Sequence, residues 1–166
     1  MNDIPQTTDP EMLQRQACAF RDRFETVLLA TVDADCVPGI SYAPFVLDDD
    51  QAICIYISEL AEHTRNLMNR PRASLMFISE EKDARNLFAR ERLVLQCHGE
   101  ELRGEAARPI LERMEACFGK TMELLRSLPD FHLFRFQVET GSYIRGFGQA
   151  WSLEGNGLKI RELRRG

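Results

Sequence analysis

The sequence predicts a mainly β fold of the α+β kind, an antiparallel barrel with short helices packed outside it, on three observations. Segments rich in β-branched and aliphatic residues recur along the chain, tight turns rather than crossover helices separate most of them, and the helical patterns between them are short. About seven strands and four short helices emerge, a pattern that favours an antiparallel barrel over a doubly wound parallel sheet. With 166 residues, 44% hydrophobic and 28% charged, the chain suits one globular domain able to bury most of its apolar surface.

The elements follow in order. Asp9-Pro10 offers an N-cap and a first-turn proline, and Met12, Leu13, Gln16, Cys18, Phe20 and Phe24 predict a loosely amphipathic helix to about residue 24. Residues 1–25 are therefore read as a helical leader, 26–153 as the barrel domain and 154–166 as a C-terminal tail. "TVLLATVD" and "VPGISYAPFVL" read as an antiparallel hairpin, whose second strand is irregular or at an edge because of Pro38 and Pro44. "AICIYIS" is almost continuously apolar, as a central strand buried on both faces would be. In "ELAEHTRNLMNRP", Leu60, Thr64, Leu67 and Met68 recur at helical spacing until Pro71 stops the helix.

"RASLMFIS" returns to strand, and "EEKDARNLFARER" predicts a short helix anchored by Leu87 and Phe88 before "LVLQCHGEELRG" resumes the sheet. Residues 105–127 are helical, with Ile110, Leu111, Met114, Cys117 and Phe118 on one stripe and a break at Gly119. "FHLFRFQVE" and "GSYIRGFGQAWSL" then read as two strands joined by a turn at Thr140-Gly141. Within the second, "RGFGQAW" places two glycines where a strand would pack side chains. Either the sheet turns a corner there or a ligand lies against the backbone.

Several function classes are excluded. The formal charge of −5 argues against nonspecific nucleic-acid binding. No apolar run reaches the roughly 20 residues of a membrane span, and the N-terminus lacks a basic, then hydrophobic leader, so a cytoplasmic protein without membrane insertion is expected. The cysteines, Cys18, Cys36, Cys54, Cys97 and Cys117, are odd in number and widely spaced, which predicts buried free thiols rather than disulfides or a zinc site. There is no G-x-G-x-x-G, P-loop, H-E-x-x-H or G-x-S-x-G.

The most suggestive segment is "SELAEHTRN", where a buried strand feeds a helix start. Free backbone N–H groups, the Ser58 and Thr64 hydroxyls and the Arg65 guanidinium are the groups a phosphate needs. The plainer reading has Ser58 capping the helix, with Glu62, His63 and Arg65 on its solvated face. Of the other histidines, His132 shares a strand face with Phe134, Phe136 and Val138, which makes it a core or pocket-wall residue; His98 has no assigned role.

The blocks "LLATVDADCVPGISYAPFV", "ISELAEHTRNLMNRPRASLMF", "LFARERL" and "LPDFHLFRFQVETGSYIRGFGQAW" resemble the pyridoxamine 5'-phosphate oxidase-like FMN-binding split-barrel superfamily. Within it they are most similar to the HutZ/HugZ-type haem-utilisation proteins, from about residue 20 to residue 153. The resemblance implies a split barrel that works as a homodimer with cofactor sites at the subunit interface, near which "YIRGFGQAW" would lie. In flavin-binding members the helix start cradles the FMN phosphate, and Ser58, Thr64 and Arg65 match that pattern. In haem-utilisation members haem is ligated by a C-terminal histidine, itself hydrogen-bonded to an acidic residue of the other subunit. Asp130 of "LPDF" matches that acid, as the catalytic candidate, but "GNGLKIRELRRG" contains no histidine. His63, inside a matching block, is the remaining candidate for the iron, and Arg161, Arg164 and Arg165 are candidates to pair with haem propionates or an FMN phosphate. The resemblance thus implies haem binding and oxidative degradation, with an FMN-dependent oxidoreductase or a non-catalytic haem- or flavin-binding dimer as alternatives.

Overall fold

The computed structural model describes residues 9–164. Six strands close an antiparallel barrel: β1 (Thr26–Val32), β2 (Pro38–Leu47), β3 (Ile53–Ser58), β4 (Arg72–Ile78), β5 (Arg92–Leu102) and β6 (Phe131–Gly146). Their order is β3-β2-β1-β4-β5-β6, and the first half of β6 returns to pair with β3. The second half of β6 carries an extension, β7 (Gln149–Glu154) and β8 (Lys159–Leu163). Four short helices accompany the sheet: α1 (Pro10–Arg21), α2 (Glu62–Asn69), α3 (Arg108–Phe118) and α4 (Lys120–Arg126).

Side-chain alternation explains the layers. Val27 and Leu29 of β1, Leu75 and Phe77 of β4, Leu93 and Leu95 of β5 and Phe134 and Phe136 of β6 point into one core. Ile53, Ile55 and Ile57 of β3 join it, while Cys54 on the opposite face packs with Ile110, Met114 and Met122 beneath α3 and α4. This double burial is why β3 reads as an unbroken apolar run. β2 meets β3 only over Phe45–Leu47. The part of β2 that holds Pro38 and Pro44 thus pairs on one side alone, as those prolines require.

Four local expectations are corrected. Thr140-Gly141 is not a turn: β6 continues unbroken through it, and a bulge opposite Gln96/Cys97 bends it there. Glycine is required at 141 because a Cβ would lie 2.6 Å from the Val94 carbonyl oxygen. The chain reverses instead at Phe147-Gly148, with Gly148 at φ +65°, so the glycines of "RGFGQAW" turn a corner.

The segment after β4 forms two single 3₁₀ turns, Glu81–Asp83 and Leu87–Ala89, rather than one helix. Leu87 and Phe88 anchor nothing, Phe88 being 89% exposed. On α2 the inward face is Thr64, Asn66 and Leu67; Thr64 and Leu67 of the predicted stripe are buried, while Leu60 precedes the helix at 88% exposure, Met68 faces out, and Asn66 joins the inward face.

The last correction concerns the thiols. All five cysteines are free, but only Cys54 and Cys97 are buried; Cys18 is half-buried, and Cys36 and Cys117 are exposed. Burial pushes the Cys54 and Cys97 thiols up to about 12, which makes both unreactive.

Within 154–164, the segment read as a tail, β8 pairs with β7. Leu158 and Ile160 enter the main core alongside Leu13, Ala17 and Phe20 of α1, and Gln14 Nε2 of α1 donates to the Gly157 carbonyl at 2.7 Å. Helix α1 and β8 therefore pack together against the barrel. No helix among the described residues is long and apolar enough to cross a membrane.

Candidate functional site

The antiparallel register Ser58↔Phe131 brings the end of β3 against the start of β6. Ser58 Oγ donates to Asp130 Oδ2 at 2.6 Å and accepts the Leu60 N–H, while the Glu59 N–H donates to the Asp130 carbonyl. Thr64 Oγ1, fully buried, donates to the Ser58 carbonyl at 2.6 Å. Arg65 Nη1 donates to the Glu59 carbonyl from the exposed side of the same corner. Three expected site residues, Ser58, Thr64 and Asp130, thus share one network, and Arg65 borders it. Both hydroxyls are committed to building the β3–α2 junction. Ser58 is not the N-cap of α2; that position falls to Ala61, which gives no side-chain cap, and Glu62 occupies the first turn. A carboxylate there already answers the positive end of the helix dipole.

His63 faces away from this network, towards β2. Its Nδ1 lies 2.7 Å from Ser41 Oγ, while Nε2 is buried with no hydrogen-bond partner. Burial lowers the imidazole's affinity for a proton, so the ring is held neutral at pH 7. In the tautomer whose Nδ1 proton goes to Ser41, Nε2 carries the lone pair, the state in which histidine binds a metal; in the other, the Ser41 hydroxyl donates to Nδ1 and Nε2 carries the proton. The residue is half-buried rather than on a solvated face.

His63 lines a cleft of about 320 Å³ with Gly39, Ile40, Tyr42 and Asn66. Asn66 Nδ2 donates to Thr31 Oγ1 at 3.0 Å and fastens α2 to β1. The cleft opens on the outer face of β1 and β2, where cross-strand pairing sets Leu28 beside Tyr42 and Ala30 beside Ile40. Ile40 is 76% and Tyr42 65% exposed, and Leu28 and Val32 continue the apolar surface. Contiguous exposed apolar residues of this kind mark an interaction surface.

One group escaped the sequence. His132, on the barrel wall as expected, is held between two carboxylates: Nδ1 lies 2.7 Å from Glu101 Oε1 and Nε2 2.6 Å from Glu59 Oε1. The hydrogen bond to Glu101, then that to Glu59, raises its pKa against the opposing effect of burial. The registers that set β5 and the end of β3 on either side of β6 create this cluster, and no spacing along the chain announces it. His98 is exposed on β5. In β8, Arg161 is paired with Glu154; Arg164 continues the strand through its backbone N–H, and Arg165 lies outside the described residues.

The pyridoxamine 5'-phosphate oxidase family model matches residues 13–145. "Heme oxygenase HutZ" of Vibrio cholerae is 39% identical over 148 residues, 88% of this chain and 84% of the relative. Among solved structures, HutZ of the same organism, described there as the heme storage protein, superposes with a TM-score of 0.71 at 38% identity, covering 76% of this chain and 90% of that one. Campylobacter jejuni ChuZ superposes at 0.81 with 31% identity, covering 94% of this chain and 64% of that one. From its barrel closure, its matched segment and these relatives, the chain belongs to the pyridoxamine 5'-phosphate oxidase split-barrel family, on its HutZ-like haem-utilisation branch.

Proposed function

We propose that two copies of this chain pair through the apolar outer face of β1 and β2 and bind haem in the cleft beside it, with His63 as the iron ligand. The observation that carries this reading is the placement of His63: on the cleft wall, 2.7 Å from Ser41 Oγ, and with a buried nitrogen that has no partner. Exposed Ile40 and Tyr42 supply the apolar wall a porphyrin face needs, and one chain supplies only one wall, so a second copy completes the enclosure. The relative named as a heme oxygenase supports the same ligand.

Bound haem would supply the iron centre for oxygen chemistry on the porphyrin itself. The chain's own residues do the rest. Ser41 fixes the His63 ring, and Leu28, Ile40 and Tyr42 exclude water. Asp130, held as an acceptor by Ser58, is kept as the acid that the resemblance pairs with the ligating histidine of the other copy. Storage and degradation differ in a simple observable, whether the bound chromophore bleaches under a reductant and oxygen.

Replacing His63→Ala tests the site. Haem affinity falls at least about tenfold and the Soret band shifts; an unchanged affinity and spectrum would remove His63 from the site. FMN is the second reading, favoured by the family match and by the exposed Arg65 guanidinium beside the start of α2. It has less geometric support, because the hydroxyls expected to hold the phosphate bond Asp130 and the Ser58 carbonyl instead.

A further inference from the structure

A second cleft, of about 500 Å³, lies between the β4–β5 connection and the β6–β7 hairpin and shares no residue with the His63 cleft. Its volume is in the range of small-molecule sites, roughly 300–1,000 Å³. Arg23, Arg85, Arg90 and Arg145 line it against only Asp83 and Glu91, a local positive excess in a chain whose formal charge is −5.

The arginines are not used up by the fold. Arg90 is the structural one: its Nε donates to the Ser79 carbonyl at 3.0 Å and its Nη1 faces Glu81. Arg145 is bonded to the neutral Gln16 side chain, and Arg23 lies 5.6 Å over the Phe20 ring. Among the described residues, Arg23, Arg85 and Arg145 form no ion pair. Of the two acids, Glu91 accepts the Tyr143 hydroxyl. A separate observation points the same way. Ser79, another lining residue, is 9% exposed, and its hydroxyl is buried with no partner. Buried hydroxyls are ordinarily paired, and an anion's oxygen is the acceptor such a donor lacks.

We propose that this cleft binds the carboxylate or phosphate groups of a small anionic molecule, with Arg85, Arg145 and Arg23 as the charged contacts and Ser79 as the buried donor. Phe147, exposed at the rim, offers an apolar surface for the rest of the ligand. Two sources carry this chemistry: a phosphate-bearing compound, or the propionates of a tetrapyrrole, and only the second rests on the haem reading.

Calorimetric titration of the full chain at low salt separates them, with inorganic pyrophosphate in one arm and metal-free protoporphyrin, which has propionates but no iron, in the other. Saturable binding of pyrophosphate supports a phosphate ligand, and of the porphyrin alone a carboxylate one. In the arm that binds, Arg85→Ala weakens affinity tenfold or more, Asp83→Asn tightens it severalfold, and Ser79→Ala weakens it. Arg85 and Asp83 are exposed turn residues, so these two variants keep the fold intact. Failure of both probes to bind, or an affinity indifferent to Arg85 and Asp83, overturns the proposal. A haemin Soret band read on the same samples reports the His63 cleft separately, so a failure here is distinguishable from a failure of the haem reading.

Discussion

His132 holds its position by charge: both ring nitrogens meet carboxylates, and Arg103 braces Glu101 from the other side at 2.8 Å. Because its pKa is raised in the fold, the stabilisation is fully present below the unfolded value near 6.5 and is lost as pH rises through the folded value. The urea midpoint therefore falls as pH increases from about 6.5, and the slope flattens in His132→Gln. His63 has the opposite sign. Its pKa is lowered by burial, so its contribution is lost on the acid side, as pH falls below the unfolded value, and His63→Ala leaves the alkaline decline unchanged. At Gly141 a methyl group would meet the Val94 carbonyl and the Leu95 and Leu153 side chains, all within 3 Å. Gly141→Ala is expected to cost roughly 1–3 kcal/mol in urea unfolding, because the carbonyl belongs to a paired strand that cannot move aside.

At the scale of elements, β1 and β2 do two jobs: their inward residues fill the barrel, and their outward residues form the apolar face beside His63. If that face pairs two copies, Ile40→Asp should convert a sedimentation mass of two chains into one without lowering thermal stability, since residue 40 is outside the core. A wild-type mass of one chain would place the apolar face in another role.

The strands themselves were legible in the sequence, because alternation and the apolar run of β3 are local signals. Orientation beyond the strands was not. Leu60, Met68, Leu87 and Phe88 read as anchors from their chemistry, yet all four are exposed, and beside the expected Thr64 and Leu67 the inward face of α2 takes Asn66, whose hydrogen bond to Thr31 holds it in place. Thr140-Gly141 has the composition of a turn, but its glycine answers a carbonyl 47 residues earlier in the chain.

For the whole molecule, the cleft that holds His63 and the cleft lined by arginines share no residue, so one barrel keeps the two chemistries apart. The candidate residues were named from the sequence; their division was not, because register decides it. Pairing of β3 with β6 draws Ser58 and Asp130 together, while the turn of α2 sends His63 to Ser41 of β2. The arginine cleft was invisible for the same reason, its members being spread from residue 23 to residue 145.

Haem binding is the claim on which the account turns, and a haemin titration of the wild-type protein followed by absorption tests it most directly. A Soret band that saturates at one haem per chain, and that FMN does not displace, is the predicted result. Absence of a saturable Soret band, with stoichiometric uptake of FMN in its place, would contradict the account and move the function to flavin chemistry.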